Sequence, residues 1–138
     1  QGFAEMFRAF ANLDAMPEAL RLFEEALSRN PNSVPARIGI AGVLTRQIAE
    51  MRSADRERDL FRAEKVIAEA LELSPNSSSA HFFLGIVQKQ KTLIQESVAA
   101  FQKSIELNPS NAPAYAQLGH SLIFSAAPRR RKRMFSKR

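Results

Sequence analysis

The chain has 138 residues, of which 45% are apolar, which excludes wholesale disorder and allows one core or a short stack of repeats. No cysteine is present, so disulfides and thiolate metal sites are excluded. The formal net charge of +6 resides at one end, because residues 129–138 carry seven positive charges and leave −1 for the rest of the chain. A broadly basic surface is therefore excluded.

The composition predicts an all-α fold. Ala, Leu, Glu and Arg dominate, only five glycines are present, and no run of β-branched residues alternates with period two. No segment approaches 18 uninterrupted apolar residues, and the N-terminus lacks the basic-then-apolar order of a secretion signal. We expect a soluble, cytoplasmic protein, and the start at Gln1 indicates an excerpt or processed product of a longer chain.

Apolar periodicity predicts seven helices in chain order. Phe3, Met6, Phe7 and Phe10 lie at helical spacing and predict the first helix. Pro17 belongs in the first turn of the second, where a missing N–H costs no hydrogen bond. The predicted helices lie at about 2–13, 17–29, 34–51, 58–73, 78–90, 94–107 and 112–126.

Three prolines mark an internal repeat. Pro75 and Pro109 are 34 residues apart, whereas Pro31 and Pro75 are 44 apart. Small, large and small residues precede each proline by twelve, eight and five positions, which indicates a helix face packed on a neighbour. A large aliphatic and then a small residue follow by nine and ten positions, where two helices can approach closely. The repeated residues are Ala19, Phe23 and Ala26; Ala63, Ile67 and Ala70; Ser97, Phe101 and Ser104; then Ile40-Ala41, Leu84-Gly85 and Leu118-Gly119.

The ten surplus residues of the 44-residue interval lie in the segment RQIAEMRSADRERDLF, between the two predicted helices at 34–51 and 58–73. Arginines alternate there with Glu50, Asp55, Glu57 and Asp59. This mixture predicts lengthened helix ends and a solvated loop. A charged interaction site is the alternative.

The repeated pattern resembles the tetratricopeptide repeat, a 34-residue pair of antiparallel helices. The resemblance implies a short right-handed α-solenoid of about three helix pairs plus an unpaired helix. It places repeats at about 1–33, 34–77 with the ten-residue insertion, 78–111, and in part 112–126, followed by a basic tail at 127–138. The signature residues are Leu84, Gly85, Phe101, Pro109, Leu118 and Gly119.

Catalytic and cofactor sites are not predicted. His81 and His120 are the only histidines, and no metal-ligand, paired-carboxylate or nucleophile–base arrangement is present. His81 occupies a packing position of the repeat, whereas His120 follows Leu-Gly and is expected to face a ligand. No glycine-rich phosphate loop occurs. We therefore expect no enzyme, no metal and no cofactor.

The resemblance implies a concave groove lined by the first helix of each pair. The residues that this chain has at the groove positions are largely apolar, which suits an amphipathic helix or an extended hydrophobic segment as the ligand. Arg46 and Lys89 are the only bases and no asparagine is present, which does not favour a clamp for a terminal carboxylate. The predicted groove residues are Ile38, Thr45, Arg46, Phe82, Ile86, Lys89, Gln90, Gln117, His120, Ile123 and Phe124, accompanied by Pro35, Gly39, Gly42, Ser79, Phe83, Pro113 and Ala116.

The basic tail has three interpretations. It binds nucleic acid or anionic lipid, or it is an unfolded end, or it results from a frameshift. If residues 126–138 are encoded by GC-rich codons, restoring one missing nucleotide after Ser125 would change their reading frame. The new frame would place small, large and small residues at positions 131, 135 and 138, which follow Ser97, Phe101 and Ser104 by one period of 34. The nucleotide sequence decides the third interpretation.

The predicted function is that of a protein-interaction scaffold whose groove binds a peptide or amphipathic helix. The insertion and the phrase NPSNAPAYAQLGHSLIF resemble the repeat segments attached to bacterial adenylate or guanylate cyclase domains, which implies a regulatory module of a larger signalling protein. An end without a polar capping helix predicts a homo-oligomer through the Ser78–Phe124 end. Nucleic-acid or anionic-surface binding through the tail is the alternative.

Overall fold

The computed structural model describes residues 16–136, with side chains up to residue 125. The helix predicted at about 2–13 lies outside the described residues. Within residues 16–136 the chain forms helices only, which confirms the all-α class. These helices are α1 (Met16–Arg29), α2 (Val34–Ala49), α3 (Arg56–Leu73), α4 (Ser78–Gln90), α5 (Ile94–Leu107) and α6 (Ala112–Ser136).

Side-chain caps determine where the first helix of each complete pair begins. The Ser33 hydroxyl accepts a hydrogen bond from the Ala36 amide at 3.1 Å, and the Ser77 hydroxyl accepts one from the Ala80 amide at 3.1 Å. Such caps satisfy amides that have no partner within the helix. Helices α2 and α4 therefore start at equivalent points, three residues after Pro31 and Pro75.

The same two helices end in residues with left-handed backbone, Met51 with φ 57° and Thr92 with φ 61°. Beyond α4, the Thr92 amide donates to the Lys89 carbonyl at 2.9 Å and the Leu93 amide donates to the Gln88 carbonyl at 2.8 Å. These are the two hydrogen bonds of a Schellman motif, in which glycine is usual. No glycine marks the end of α2, and its predicted end at 51 is two residues too late.

The chain divides into two compact units, one ending at Pro75 and the other starting at Asn76. In the first unit, α2 packs against both α1 and α3. The Phe23 ring of α1 lies against Gly39, and Arg37 near the start of α2 pairs with Glu69 near the end of α3 at 3.3 Å. Helices α2 and α3 are therefore antiparallel. The buried apolar residues are Met16, Ala19, Phe23, Ala36, Ile40, Ala41, Val43, Leu44, Ile48, Leu60, Ala63, Val66, Ile67 and Ala70.

In the second unit, α5 packs against both α4 and α6. At the start of α4, the Ser78 hydroxyl donates to the Ser104 carbonyl at 2.8 Å, and the Ser104 hydroxyl donates to the Ser78 carbonyl at 2.9 Å. The Ser97 and Ser121 hydroxyls form a hydrogen bond of 3.2 Å between α5 and α6. The first contact joins the start of α4 to the end of α5, and the second joins the start of α5 to the middle of α6. The Asn111 side-chain amide just before α6 donates to the Ser104 hydroxyl near the end of α5 at 3.2 Å, so neighbours are antiparallel. The buried apolar residues are Ala80, Val87, Ala100, Phe101 and Ala114.

The ten surplus residues are distributed over three segments. Helix α2 is three residues longer than α4, the connection at 50–55 is three residues longer than that at 91–93, and α3 is four residues longer than α5. Not all of this stretch is solvated, because Asp59 is only 8% exposed and its carboxylate accepts a hydrogen bond from the Ser53 hydroxyl at 2.6 Å. This carboxylate anchors the long connection to α3.

Helix α6 ends at Ser136, ten residues beyond its predicted end at 126. The basic segment therefore extends α6 and does not form the second helix of a last pair. Ser121 of α6 lies opposite Ser97, and α5 begins only three residues earlier, at Ile94. From about residue 125, α6 therefore runs past the start of α5, at 1.5 Å per residue. The described residues contain two complete pairs, α2–α3 and α4–α5, and α6 without a following partner.

Candidate functional site

The predicted groove residues lie on three helices. Those of α4 and α6 belong to the second unit and those of α2 to the first. Because α4 and α6 both pack on α5, the second unit holds two of these helices in fixed positions. The surface that they share is the candidate site, and the residues of α2 are considered separately.

A direct hydrogen bond joins the two helices of the candidate site. The Lys89 ammonium of α4 donates to the Gln117 Oε1 of α6 at 2.9 Å. Partial burial lowers the pKa of Lys89 below its ordinary value of 10.5, because removal of water disfavours the charged form. An ammonium has three N–H donors, and only one is needed for Gln117. A carboxylate or carbonyl oxygen of a ligand is the group that complements the others.

Aromatic packing holds the apolar part of the site on α4. The Phe82 ring lies edge-on to Phe83, with ring centroids 5.0 Å apart and planes at 80°. The centroid of Phe82 also lies 5.8 Å from that of Phe101, which is fully buried. Phe82, Phe83 and Ile86 are all half-buried, so each presents part of its surface to solvent. Gln90, another predicted groove residue, is half-buried at the end of α4.

On α6 the site is more open. His120, Ile123 and Phe124 are exposed, and Ile123 is 70% accessible. Two further apolar side chains, Tyr115 and Leu122, are each 50% exposed on a different face of α6 and were not among the predicted site residues. Their spacing of seven residues, with Leu118 and Gly119 between them, is the sequence signal that identifies this second apolar stripe.

The α2 residues differ in accessibility. Thr45 is only 3% exposed, and its hydroxyl donates to the Ala41 carbonyl at 2.8 Å. The prediction that Thr45 lines an open groove is therefore wrong, because its side chain bonds within its own helix. Ile38 is half-buried, and Arg46 forms a 3.5 Å contact with Glu50 one turn later.

The signature glycines also differ. A Cβ atom on Gly85 would lie 2.6 Å from Cε1 of Phe101, so α4 and α5 approach closely there, with Leu84 half-buried. A Cβ atom on Gly119 would meet no atom of another described helix within 4 Å. The expected close approach of a helix at Leu118-Gly119 is therefore not observed. Pro109 is exposed in the turn before α6.

The long connection of the first unit borders a pocket of about 480 Å³. Its surface is polar and apolar in nearly equal shares, and two of its arginines have acidic partners: Arg62 pairs with Glu24, and Arg58 contacts Asp59 at 3.9 Å. If the segment RQIAEMRSADRERDLF forms a charged interaction site, as the alternative interpretation of the sequence holds, that site would include this pocket. Its lining residues are Leu20, Leu44, Gln47, Arg52, Ala54, Arg58, Asp59 and Arg62.

Within the part of the chain that the structure describes, neither a cluster of metal-ligand side chains nor a membrane-spanning helix occurs. No group of three or more His, Asp or Glu side chains in that part of the chain is arranged to hold a metal ion. None of its helices combines the length and the apolar character needed to cross a membrane.

Comparison with known proteins identifies one repeat directly, since residues 78–111 match the family model described as tetratricopeptide repeat. Protein NPG1 of Arabidopsis thaliana is 27% identical over 93 residues, which are 67% of this chain and 12% of that protein. The cytochrome c-type biogenesis protein CycH of Rhizobium meliloti is 29% identical over 115 residues, which are 82% of this chain and 28% of that protein. This chain thus spans less than a third of either relative.

A solved structure, the MamA RS-1 ArsTM double mutant, superposes with a TM-score of 0.45 at 16% sequence identity. The alignment covers 99% of this chain and 89% of that structure.

Proposed function

We propose that this chain, whose residues 78–111 match the tetratricopeptide repeat, is a helical-repeat protein of that type and serves as a non-catalytic interaction module that binds an amphipathic helix or apolar peptide on the α4–α6 surface. We define this surface by Phe82, Ile86, Lys89, Gln117, His120, Ile123 and Phe124. The fold supports a protein-interaction scaffold, and the choice of this surface is our proposal.

The observation that carries the proposal is a half-buried ammonium that joins two helices, one of which also carries exposed apolar side chains. Lys89 and Gln117 lie between α4 and α6, while Ile123 and Phe124 leave much of their apolar area in water. Covering such area is favourable by about 25 cal/mol per Å². A ligand with an apolar face and one carboxylate or carbonyl oxygen directed at Lys89 would satisfy both features.

The proposal is tested by selection of binders from a displayed library of helical peptides, followed by affinity measurement on variants of the full chain. Ile86→Glu places a charge in the apolar surface and should weaken the selected peptides by roughly tenfold or more, as for a central apolar contact. Gln102→Glu adds the same charge at an exposed position of α5 and should leave affinity unchanged. Equal affinity for both variants would contradict the proposal.

The second candidate is nucleic-acid or anionic-surface binding by residues 129–138. The observation in its favour is that α6 continues to Ser136, so most of these basic residues lie on one helix. Lys and Arg that neutralise phosphates release counterions, which makes binding salt-sensitive. If this candidate is correct, deletion of Arg129–Arg138 abolishes salt-sensitive DNA binding, whereas peptide binding to the α4–α6 surface survives.

Three finer predictions remain proposals. Self-association through the Ser78–Phe124 end would cover the exposed apolar residues of α6. A regulatory role in a larger bacterial signalling protein follows from the cyclase resemblance of the insertion and of the phrase NPSNAPAYAQLGHSLIF. A cytoplasmic location is the third.

A further inference from the structure

We propose that a second face of α6 receives an acidic amphipathic helix from a partner protein, which packs on α6 as α5 packs on α4. We call this face the end face and define it by Tyr115, Leu118, Gly119 and Leu122. At 100° per residue these four positions fall within a sector of about 100°. His120 and Gln117 of the α4–α6 surface lie on the other side of α6, whereas Ile123, one turn after Gly119, borders the end face. Phe82, Ile86 and Lys89 lie on α4, so substitutions there test the two proposals separately.

The α4–α5 pair shows how such a face is covered. The Phe101 ring of α5 lies directly on Gly85 of α4, and reciprocal hydrogen bonds join Ser78 to Ser104. Leu118 and Gly119 repeat Leu84 and Gly85 exactly one 34-residue period later. A helix that covered α6 in the same way would place an aromatic ring on Gly119.

On α6 this position is open. Apart from Gly119, its two neighbours and the backbone of its own helix, no atom of the described chain lies within 4 Å of the place that a Cβ of Gly119 would occupy. Tyr115 and Leu122 on either side are half-exposed. The adjacent face of α6 is already used, since Ala114 and Ser121 are fully buried and Ser121 bonds to α5. Helix α6 is therefore packed along one face and uncovered along the next.

The charge distribution along α6 specifies the occupant. Residues 112–125 contain no charged side chain, whereas residues 129–138 contain seven basic residues, and no acidic residue occurs anywhere after Glu106. A helix antiparallel to α6 would lay its C-terminal half on the end face and its N-terminal half along residues 129–136. Carboxylates in that N-terminal half would be attracted by the basic segment and by the dipole of their own helix.

The same charges argue against a second copy of this chain as the occupant. Two parallel α6 helices would bring their basic segments together. Two antiparallel α6 helices would place each basic segment beside the region after Glu106, which offers no carboxylate. The partner that fits is a helix of opposite charge, with small, aromatic and small residues spaced as in Ser97, Phe101 and Ser104, preceded by two turns rich in Asp or Glu.

A synthetic peptide tests the proposal with the full 138-residue chain. The probe carries the sequence of residues 93–108 preceded by Glu-Glu-Ala-Glu-Glu-Ala-Glu, labelled at its N-terminus, and its affinity is measured by fluorescence anisotropy. Two control peptides replace the Phe101 equivalent with Ala, or the leading glutamates with glutamine. We expect each control to bind roughly tenfold more weakly, because each removes one of the two contributions.

Variants of the chain locate the binding. Gly119→Leu fills the space for the partner's ring without a clash in the free protein, so it should retain or raise the melting temperature and weaken the probe roughly tenfold or more. His120→Ala, one residue along, and Ile86→Glu on the α4–α6 surface should leave the affinity for this probe unchanged. Ile86→Glu is also the variant that tests peptide binding on the α4–α6 surface. Its effect on that peptide, and its lack of effect on this probe, keep the outcomes of the two proposals distinguishable.

Three results would overturn the proposal. The first is equal affinity of the probe for the wild-type chain and Gly119→Leu, or no measurable binding to the wild type. The second is displacement of the probe by a short DNA duplex with no effect of Gly119→Leu, which would assign the basic segment to nucleic acid. The third is a stable dimer in sedimentation that the probe does not dissociate, which would assign the end face to a second copy.

Discussion

Two glycines that occupy the same position of the repeat have opposite environments. Gly85 is buried beneath the Phe101 ring, and Gly119 faces open space. Glycine lowers helix stability relative to alanine in both places. Only at Gly85 does the absence of a Cβ atom allow two helices to approach, so the two positions should respond differently to the same substitution.

Gly85→Ala should destabilise the fold by about 1–3 kcal/mol, because the added methyl group would overlap the Phe101 ring. Gly119→Ala should stabilise it by up to about 1 kcal/mol, because helix propensity improves and no neighbour is displaced. Urea denaturation of both variants checks the pair. A loss of stability at Gly119 would show that the described packing of α6 is wrong.

Lys89 contributes a pH dependence. Partial burial lowers its pKa below 10.5, so the unfolded chain holds this proton more strongly than the folded chain. The cost of burying the charge is fully present at neutral pH and is lost as the pH rises from the lowered value through 10.5. The wild type should therefore gain stability relative to Lys89→Gln over that interval.

Thermal denaturation of the wild type and Lys89→Gln at several pH values checks this sign. A stability difference that stays constant up to pH 10.5 would contradict it. A ligand carboxylate bound to Lys89 should raise the pKa of the ammonium again, because a nearby negative charge favours the charged form.

At the scale of the helix, the starts and the ends are specified by different means. Ser33 and Ser77 cap α2 and α4 through hydrogen bonds to residues three positions away, so their starts can be predicted from the sequence. Both helices end in Schellman motifs whose left-handed residues are Met51 and Thr92. Left-handed backbone is unfavourable for residues with a Cβ atom, and especially for a β-branched residue.

Thr92→Gly should stabilise the chain by about 1 kcal/mol, because glycine adopts a φ of 61° without the steric cost that a Cβ atom adds. Chemical denaturation provides the measurement. Thr92→Ala is the matched control, since it removes the hydroxyl and the branch but keeps the Cβ atom, and it should recover less than glycine does. Equal effects of the two variants would assign the strain to β-branching alone.

At the scale of the whole chain, the exposed apolar residues of α6 predict weak self-association. Ile123 and Phe124, outside the end face, would be covered by a second copy, while the basic segments of the two copies repel each other. The apparent mass in sedimentation should therefore rise with concentration and rise further with salt. Phe124→Glu should reduce it, and Gln102→Glu should not. A monomer at high concentration and high salt would contradict this prediction.

The opposite response to salt separates self-association from binding of an acidic helix. Screening weakens attraction between the basic segment and carboxylates, whereas it relieves repulsion between two basic segments. Measuring probe affinity and apparent mass over one series of salt concentrations therefore distinguishes a bound acidic helix from a second copy of this chain.

The amino-acid sequence by itself determined the helices, the 34-residue repeat and the positions of the signature residues. Caps such as Ser77 and periodic pairs such as Phe101 and Ser104 act within one or two turns, so their effect can be read locally. The period also placed Lys89 and Gln117 at related positions of successive repeats, and packing on α5 brings these two side chains into contact.

The tertiary structure alone decided which of these residues are accessible. Thr45 is buried although its repeat position predicts a groove, Asp59 is buried within a stretch that reads as solvated, and Gly119 is open although Gly85 is covered. The physical reason is that burial depends on the helices packed around a residue, and those helices come from distant parts of the chain. Helix α6 illustrates this most clearly, because no other described helix packs on its face at Gly119, whereas α5 packs on Gly85.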